Sequence, residues 1–157
     1  MRRETEKDRV AEREIMDMLC LRWAARAKKM HVMYTLDYMV FKGDHSIAWV
    51  EAKDRAWEGY ETYLLALHKW KAAHQYLEYT RLPTVIAVRL SGELHTYNVS
   101  PSDLGKVRIS EGGRRDRDDN SDVEPCVYIP IEKFFPWDEN NDLWDGPVLP
   151  PLYEEVF

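Results

Sequence analysis

The sequence predicts an α/β fold in which a central mixed sheet is flanked by two helices. Three observations carry this. An amphipathic stretch without Gly or Pro opens the chain, and two strand-like runs follow around the turn Lys42-Gly43-Asp44-His45. A second helical pattern then passes through Pro83 into another β-branched run. At 157 residues, 45% hydrophobic and 32% charged, the chain has the size and balance of one globular domain with a real core.

Residues 4–29 form the first helical stretch. Ala11, Ile15, Met18, Leu19 and Trp23 share one broad face at helical spacing. Glu12 lies beside that face and can look inward, whereas Glu14 sits nearer the solvent edge. Residues 31–41 are rich in β-branched and aromatic side chains and predict one strand, or two short ones with a bend. Residues 46–53 give the next strand, whose apolar start suits burial on both faces. Two ionisable residues, Glu51 and Lys53, break that pattern at its end.

The second helix is expected over residues 58–80, with Tyr60, Tyr63, Leu64, Leu67, Trp70 and Leu77 on its apolar face. On that wheel Lys71 and His74 also fall on the apolar side, where they either contact phosphate or are hydrogen-bonded in partial burial. A buried strand over 84–89 turns at Ser91-Gly92 into a hairpin partner over 93–99. Residues 110–124 have loop composition, and 127–131 read as a short strand. Two regions are expected: a body over 1–135 and an acidic, aromatic tail over 136–157 that packs or makes a dimer contact.

Charge distribution qualifies the net −6. Residues 136–157 contain Asp138, Glu139, Asp142, Asp145, Glu154 and Glu155 without Lys or Arg, so the body is neutral. Residues 1–30 hold nine basic against six acidic groups, and Arg114, Arg115 and Arg117 form a second cluster that could order on phosphate. No apolar run approaches the roughly 20 residues of a membrane span. The charged N-terminus lacks the apolar core of a secretion signal, so membrane association is not expected and a cytoplasmic location is. Cys20 and Cys126 lie far apart without metal-ligand spacing and read as reduced thiols.

The informative constellation is Asp37, then Glu51-Ala52-Lys53 beginning 14 residues later, with Glu12 on the opening helix. In a strand, residues i and i+2 point the same way, which brings Glu51 and Lys53 to one face beside Asp37 on the paired strand. Two carboxylates and the Ala52 carbonyl are hard oxygen ligands suited to Mg2+ or Mn2+. Such a site can activate water, neutralise phosphate and help the leaving oxygen, and Lys53 would orient the water. These are the needs of phosphodiester hydrolysis.

This arrangement resembles the PD-(D/E)xK nuclease superfamily, with Leu36 standing where its proline is usual. Ala11-Glu-Arg-Glu-Ile-Met-Asp-Met-Leu19 is similar to the opening helix of archaeal Holliday-junction resolvases and related phage nucleases. The resemblance implies that Glu12 contributes to the metal site. Glu78-Tyr-Thr-Arg-Leu-Pro-Thr-Val-Ile-Ala-Val-Arg89 resembles the family's helix end, proline turn and following strand. Those enzymes are usually basic overall and carry a serine-bearing loop not found here. Gln75-x-x-x-Tyr79 matches the Gln-x3-Tyr of RecB-like exonucleases, which would place Gln75 near DNA.

The resemblance implies a restriction-endonuclease-like core and metal-dependent hydrolysis of DNA, with junctions or branches as candidate substrates, by a homodimer in a bacterial, archaeal or phage-infected cell. Its rivals are a non-catalytic nucleic-acid-binding or assembly protein on the same fold, a RecB-like exonuclease, and a partner-binding protein that acts through its tail.

Overall fold

A computed structural model of the chain describes residues 4–112 and 123–137. The expected tail beyond Trp137 and the cluster Arg114, Arg115 and Arg117 lie outside the described residues.

Helix α1 spans Glu6–Trp23. It starts where Thr5 caps the Asp8 amide and Asp8 returns a bond to the Thr5 amide, so two otherwise orphaned donors are satisfied. Its buried face is Ala11, Glu12, Ile15, Met16, Leu19 and Trp23. Met18, expected inward, is exposed, and Met16 takes its place. Ile15 and Leu19 are fully covered, each worth about 1.5–3 kcal/mol in transfer alone.

The helix does not continue to residue 29. Ala24 adopts a left-handed conformation (φ 50°), which closes the last turn, and Arg26–Lys29 become strand β1. No Gly or Pro announces this break. The free edge of the next strand decides it, since β1 pairs antiparallel with β2, Tyr38–Lys42, from Arg26↔Phe41 to Lys29↔Tyr38. Between them Val32–Tyr34 form one 3-10 turn in place of the expected strand start.

Strand β3, His45–Arg55, pairs antiparallel with β2 and parallel with β5, Thr84–Leu90. Strand β6, Glu93–Asn98, and the short β9, Phe135–Pro136, complete a six-stranded mixed sheet in the order β1-β2-β3-β5-β6-β9. The side chains of β3 alternate between two cores. Ala48, Val50 and Ala52 meet α1, while Trp49 faces the other side.

On that other side the expected long helix is two elements. Thr62–Ala66 are strand β4, and only Leu67–Thr80 are helix α2. Strand β4 pairs with β8, Glu124–Pro130, which pairs with β7, Arg108–Gly112, giving a second sheet that sequence reading did not foresee. Tyr63 and Leu65 of β4 point into a core with Trp70, Leu77, Ile86, Val88, Val127 and Ile129. The residues assigned to a loop from 110 thus begin inside β7.

The body extends past residue 135. Strand β9 pairs with β6, and Trp137 is buried edge-on to Trp23 at 5.7 Å between ring centroids, with the Arg22 guanidinium over its ring. Trp137→Ala is expected to cost about 3–5 kcal/mol. In urea it should lower the unfolding midpoint at an unchanged slope. Cys20 and Cys126 are both free thiols.

Candidate active site

Asp37 and Glu51 sit where β2 begins and β3 continues past it. The last ladder pair between them is Tyr38↔Val50, so the next residues, Asp37 and Glu51, face one another beyond the ladder. By alternation from Met39 and Trp49, both side chains point toward α2. Their carboxylates meet the same group: Lys69 Nζ contacts Glu51 Oε1 and lies 3.4 Å from Asp37 Oδ1. The other oxygen of Asp37 accepts the Ala52 amide at 3.4 Å, an N–H left without a β2 partner. The second oxygen of Glu51, Oε2, is buried and has no hydrogen-bond partner among the described residues.

Glu12 lies on the α1 side of the same strand ends. It is only 2% exposed and accepts from Lys29 Nζ at 2.7 Å, Lys53 Nζ at 3.2 Å and the Tyr38 hydroxyl at 3.3 Å. Lys29 also bonds Glu4, so a line of alternating charge runs Glu4, Lys29, Glu12, Lys53. Lys53 links the two halves, since its charge also acts on the Glu51 carboxyl. Among the described residues no three His, Cys, Asp or Glu side chains come together as a metal cage, and Glu12 does not join Asp37 and Glu51 in one.

Burial, reinforced by the charge of Asp37, pushes the Glu51 carboxyl up to about 8 against the pull of Lys69 and Lys53. Burial also opposes the Lys69 ammonium, but Glu51 and Asp37 more than offset it and hold that group above the usual lysine value. The same balance applies at Lys29, which Glu12 and Glu4 keep charged. Burial lifts the Tyr38 hydroxyl to about 12, so it stays a proton donor to Glu12.

These residues fit a divalent cation. An ammonium already rests between two carboxylates, which shows that the position attracts positive charge, and a buried carboxylate oxygen beside it is unsatisfied. Two carboxylates are also the usual protein share of a hydrated Mg2+ site.

Helix α2 distributes the remaining candidates unevenly. Lys71 and Gln75 are exposed. His74 is buried edge-on against Trp70 at 4.4 Å, with Nε2 unpartnered among the described residues, and burial pushes its imidazole below the ordinary histidine value. Sequence reading passed over Lys69. Residues 60–64 are loop and strand, and including them in a helical pattern rotates the apparent apolar face toward Lys71 and away from Lys69. Starting the wheel at Leu67 would have set Lys69 beside Trp70 and one turn before Ala73, on the edge of the buried face.

The sheet order, the helix on each side and the acids at the ends of β2 and β3 define a restriction-endonuclease-like α/β protein. The chain belongs to the family described as "Phage putative PDDEXK endonuclease", whose model matches residues 1–136. No curated protein matches it.

Proposed function

We propose that the chain is a metal-dependent deoxyribonuclease in which Asp37 and Glu51 hold Mg2+ or Mn2+. The observation that carries this reading is the shared engagement of Lys69 by both carboxylates, which puts their oxygens on one side of the sheet. The Ala52 carbonyl would be the third protein ligand. In a strand the N–H and C=O of one residue point to the same edge, and the Ala52 amide already reaches Asp37.

When bound, the metal supplies a nucleophilic water and neutralises the phosphate. Lys53 orients that water and offsets charge developing on the phosphate oxygens. Glu12 is a positioning residue: it holds the Lys53 ammonium at the site's edge, and it would complete the metal site through water. A divalent cation held by Asp37 and Glu51 would replace the charge that Lys69 supplies to both carboxylates. Lys71 and Gln75, exposed on α2, and the arginines at 114, 115 and 117, outside the described residues, are candidate phosphate contacts, and His74 would serve from beneath the surface.

Duplex or branched DNA requires two cuts, which favours a homodimer. No helix of the described residues is long and apolar enough to cross a membrane, and a cytoplasmic site of action suits a phage-type nuclease. The test is to incubate the protein with labelled linear, flapped and four-way DNA with and without Mn2+. Metal-dependent products are expected, and their pattern identifies the preferred structure. Binding without cleavage at every metal concentration would instead support an assembly role. Residues beyond Trp137 are not required in this reading, so a chain ending at Trp137 should cut as the full chain does.

A further inference from the structure

Next to Asp37 the chain builds a closed loop whose tip is apolar and faces solvent. Val32 is 78% and Met33 83% exposed, a state that large apolar side chains rarely adopt side by side without a partner. Hydrogen bonds and a buried anchor close the loop. Met30 N–H donates to Asp37 C=O at 2.8 Å across its base, and Leu36, 2% exposed, anchors its far end. Tyr34 N–H bonds His31 C=O at 2.9 Å, the His31 ring accepts the Met33 amide at 3.3 Å, and the Tyr76 hydroxyl of α2 donates to Tyr34 C=O. Six hydrophilic residues would have served a solvated connection equally well.

The tip stands close to the proposed metal position and is approached along a basic edge. Met33 precedes Asp37 by four residues, so even a fully extended chain keeps it within about 14 Å. That is about four nucleotide steps along a strand at about 3.4 Å each. Strand β1 leads to the tip as an outer strand with all four residues exposed, among them Arg26 and Lys28. Arg26 bonds the Gly43 carbonyl and lies over Phe41, which fixes one cation on this edge. A cationic strand that tracks phosphates, followed by apolar side chains on a hydrogen-bonded turn, matches a duplex whose base stack is opened by a wedge.

We infer that Val32 and Met33 insert into a base step within about four nucleotides of the scissile phosphate, stabilising unstacked DNA while Arg26 and Lys28 hold its backbone. This rests on the nuclease reading above. An apolar wedge releases no counterions, whereas a phosphate contact does, so the two contributions separate in salt.

The experiment uses the full chain in Ca2+ and a duplex carrying 2-aminopurine at each of four steps on either side of the mapped cut. The wild type is expected to raise fluorescence at one step. Val32→Ser/Met33→Ser should abolish that rise and weaken binding about tenfold at an unchanged salt slope. Val32→Leu/Met33→Leu should retain both, and Lys28→Ala should keep the rise while lowering the salt slope by about one. Because the tip is exposed, equal melting temperatures will show that the fold is intact. The wedge is overturned if the serine pair gives wild-type fluorescence and affinity. It is equally overturned if the pair alters only the sedimentation behaviour, which would make the tip a contact between copies. Failure of the underlying reading looks different: no DNA would be cut in Mn2+ by the wild type.

Discussion

Glu51→Gln is expected to abolish Mn2+-dependent cleavage while the protein stays folded. The amide fills nearly the same volume in a site with 1% exposure, so the core around Trp49 and Ile86 keeps its packing. Under the proposed reading this removes one of two charged metal ligands, and with it the activated water. Lys53→Ala leaves both ligands in place and should lower the rate by about 10²–10³-fold, the usual consequence of deleting one group that stabilises transition-state charge. The two variants therefore separate in a metal titration. Lys53→Ala should bind Mn2+ with near wild-type affinity, and Glu51→Gln should not. Full activity of the Lys53→Ala protein at saturating metal would remove that residue from the mechanism. Glu12→Gln should fall between them, and its damage should show in the rate more than in metal affinity.

Without metal, stability is expected to fall as pH rises from about 5 to 8, and Mn2+ should reverse much of that fall. In the unfolded chain Glu51 titrates near 4.5, whereas burial and Asp37 raise it to about 8 in the fold. Between those values the native state binds more protons than the unfolded state. Its contribution is thus fully present below the unfolded value and lost as pH climbs through the folded one. The limiting slope for one such group is about 1.4 kcal/mol per pH unit. A divalent cation binds the ionised carboxylate, so its stabilising effect should grow across the same window and its binding should release a proton near pH 7. Melting temperatures in chelator and in Mn2+, taken from pH 5 to 9, measure both trends. Glu51→Gln isolates the group and should flatten the chelator curve. A variant curve as steep as the wild type would assign the pH dependence to other residues. Lys69→Met complements this test. It takes away the cation that rests between the carboxylates, so the metal-free protein should lose stability and Mn2+ should restore more of it than in the wild type.

Much of the candidate centre was legible because strand geometry is local. The juxtaposition of Asp37 and Glu51 needed only a period of two and one hairpin register, and the turn at Gly43 supplied the hairpin, whereas the Lys53 ammonium, expected beside them, reaches Glu12 on the α1 side. Glu12 was legible from its position beside Ile15 and Leu19. The misread elements share a different character. Thr62-Tyr-Leu-Leu-Ala66 is apolar enough to satisfy either a helical or a strand pattern, and its choice depends on β8, whose Ile129 lies 66 residues beyond its partner Tyr63. Residues 26–29, three of them basic, have no intrinsic strand signal and become β1 because β2 offers an unpaired edge.

By itself, the amino-acid sequence determined the α/β class, the order of the principal elements, and three acids and a lysine spaced so that a helix and a hairpin could gather them. These follow from periodicity and turn chemistry, which act over a few residues. Tertiary structure alone decided that Glu12 and Lys53 form one charged group while Asp37, Glu51 and Lys69 form its neighbour. It also decided that Trp137 closes the core and that the Val32–Met33 tip stays in solvent. Those outcomes depend on which distant surfaces meet and what burial does to charge. Neither is encoded in the spacing of residues along one segment.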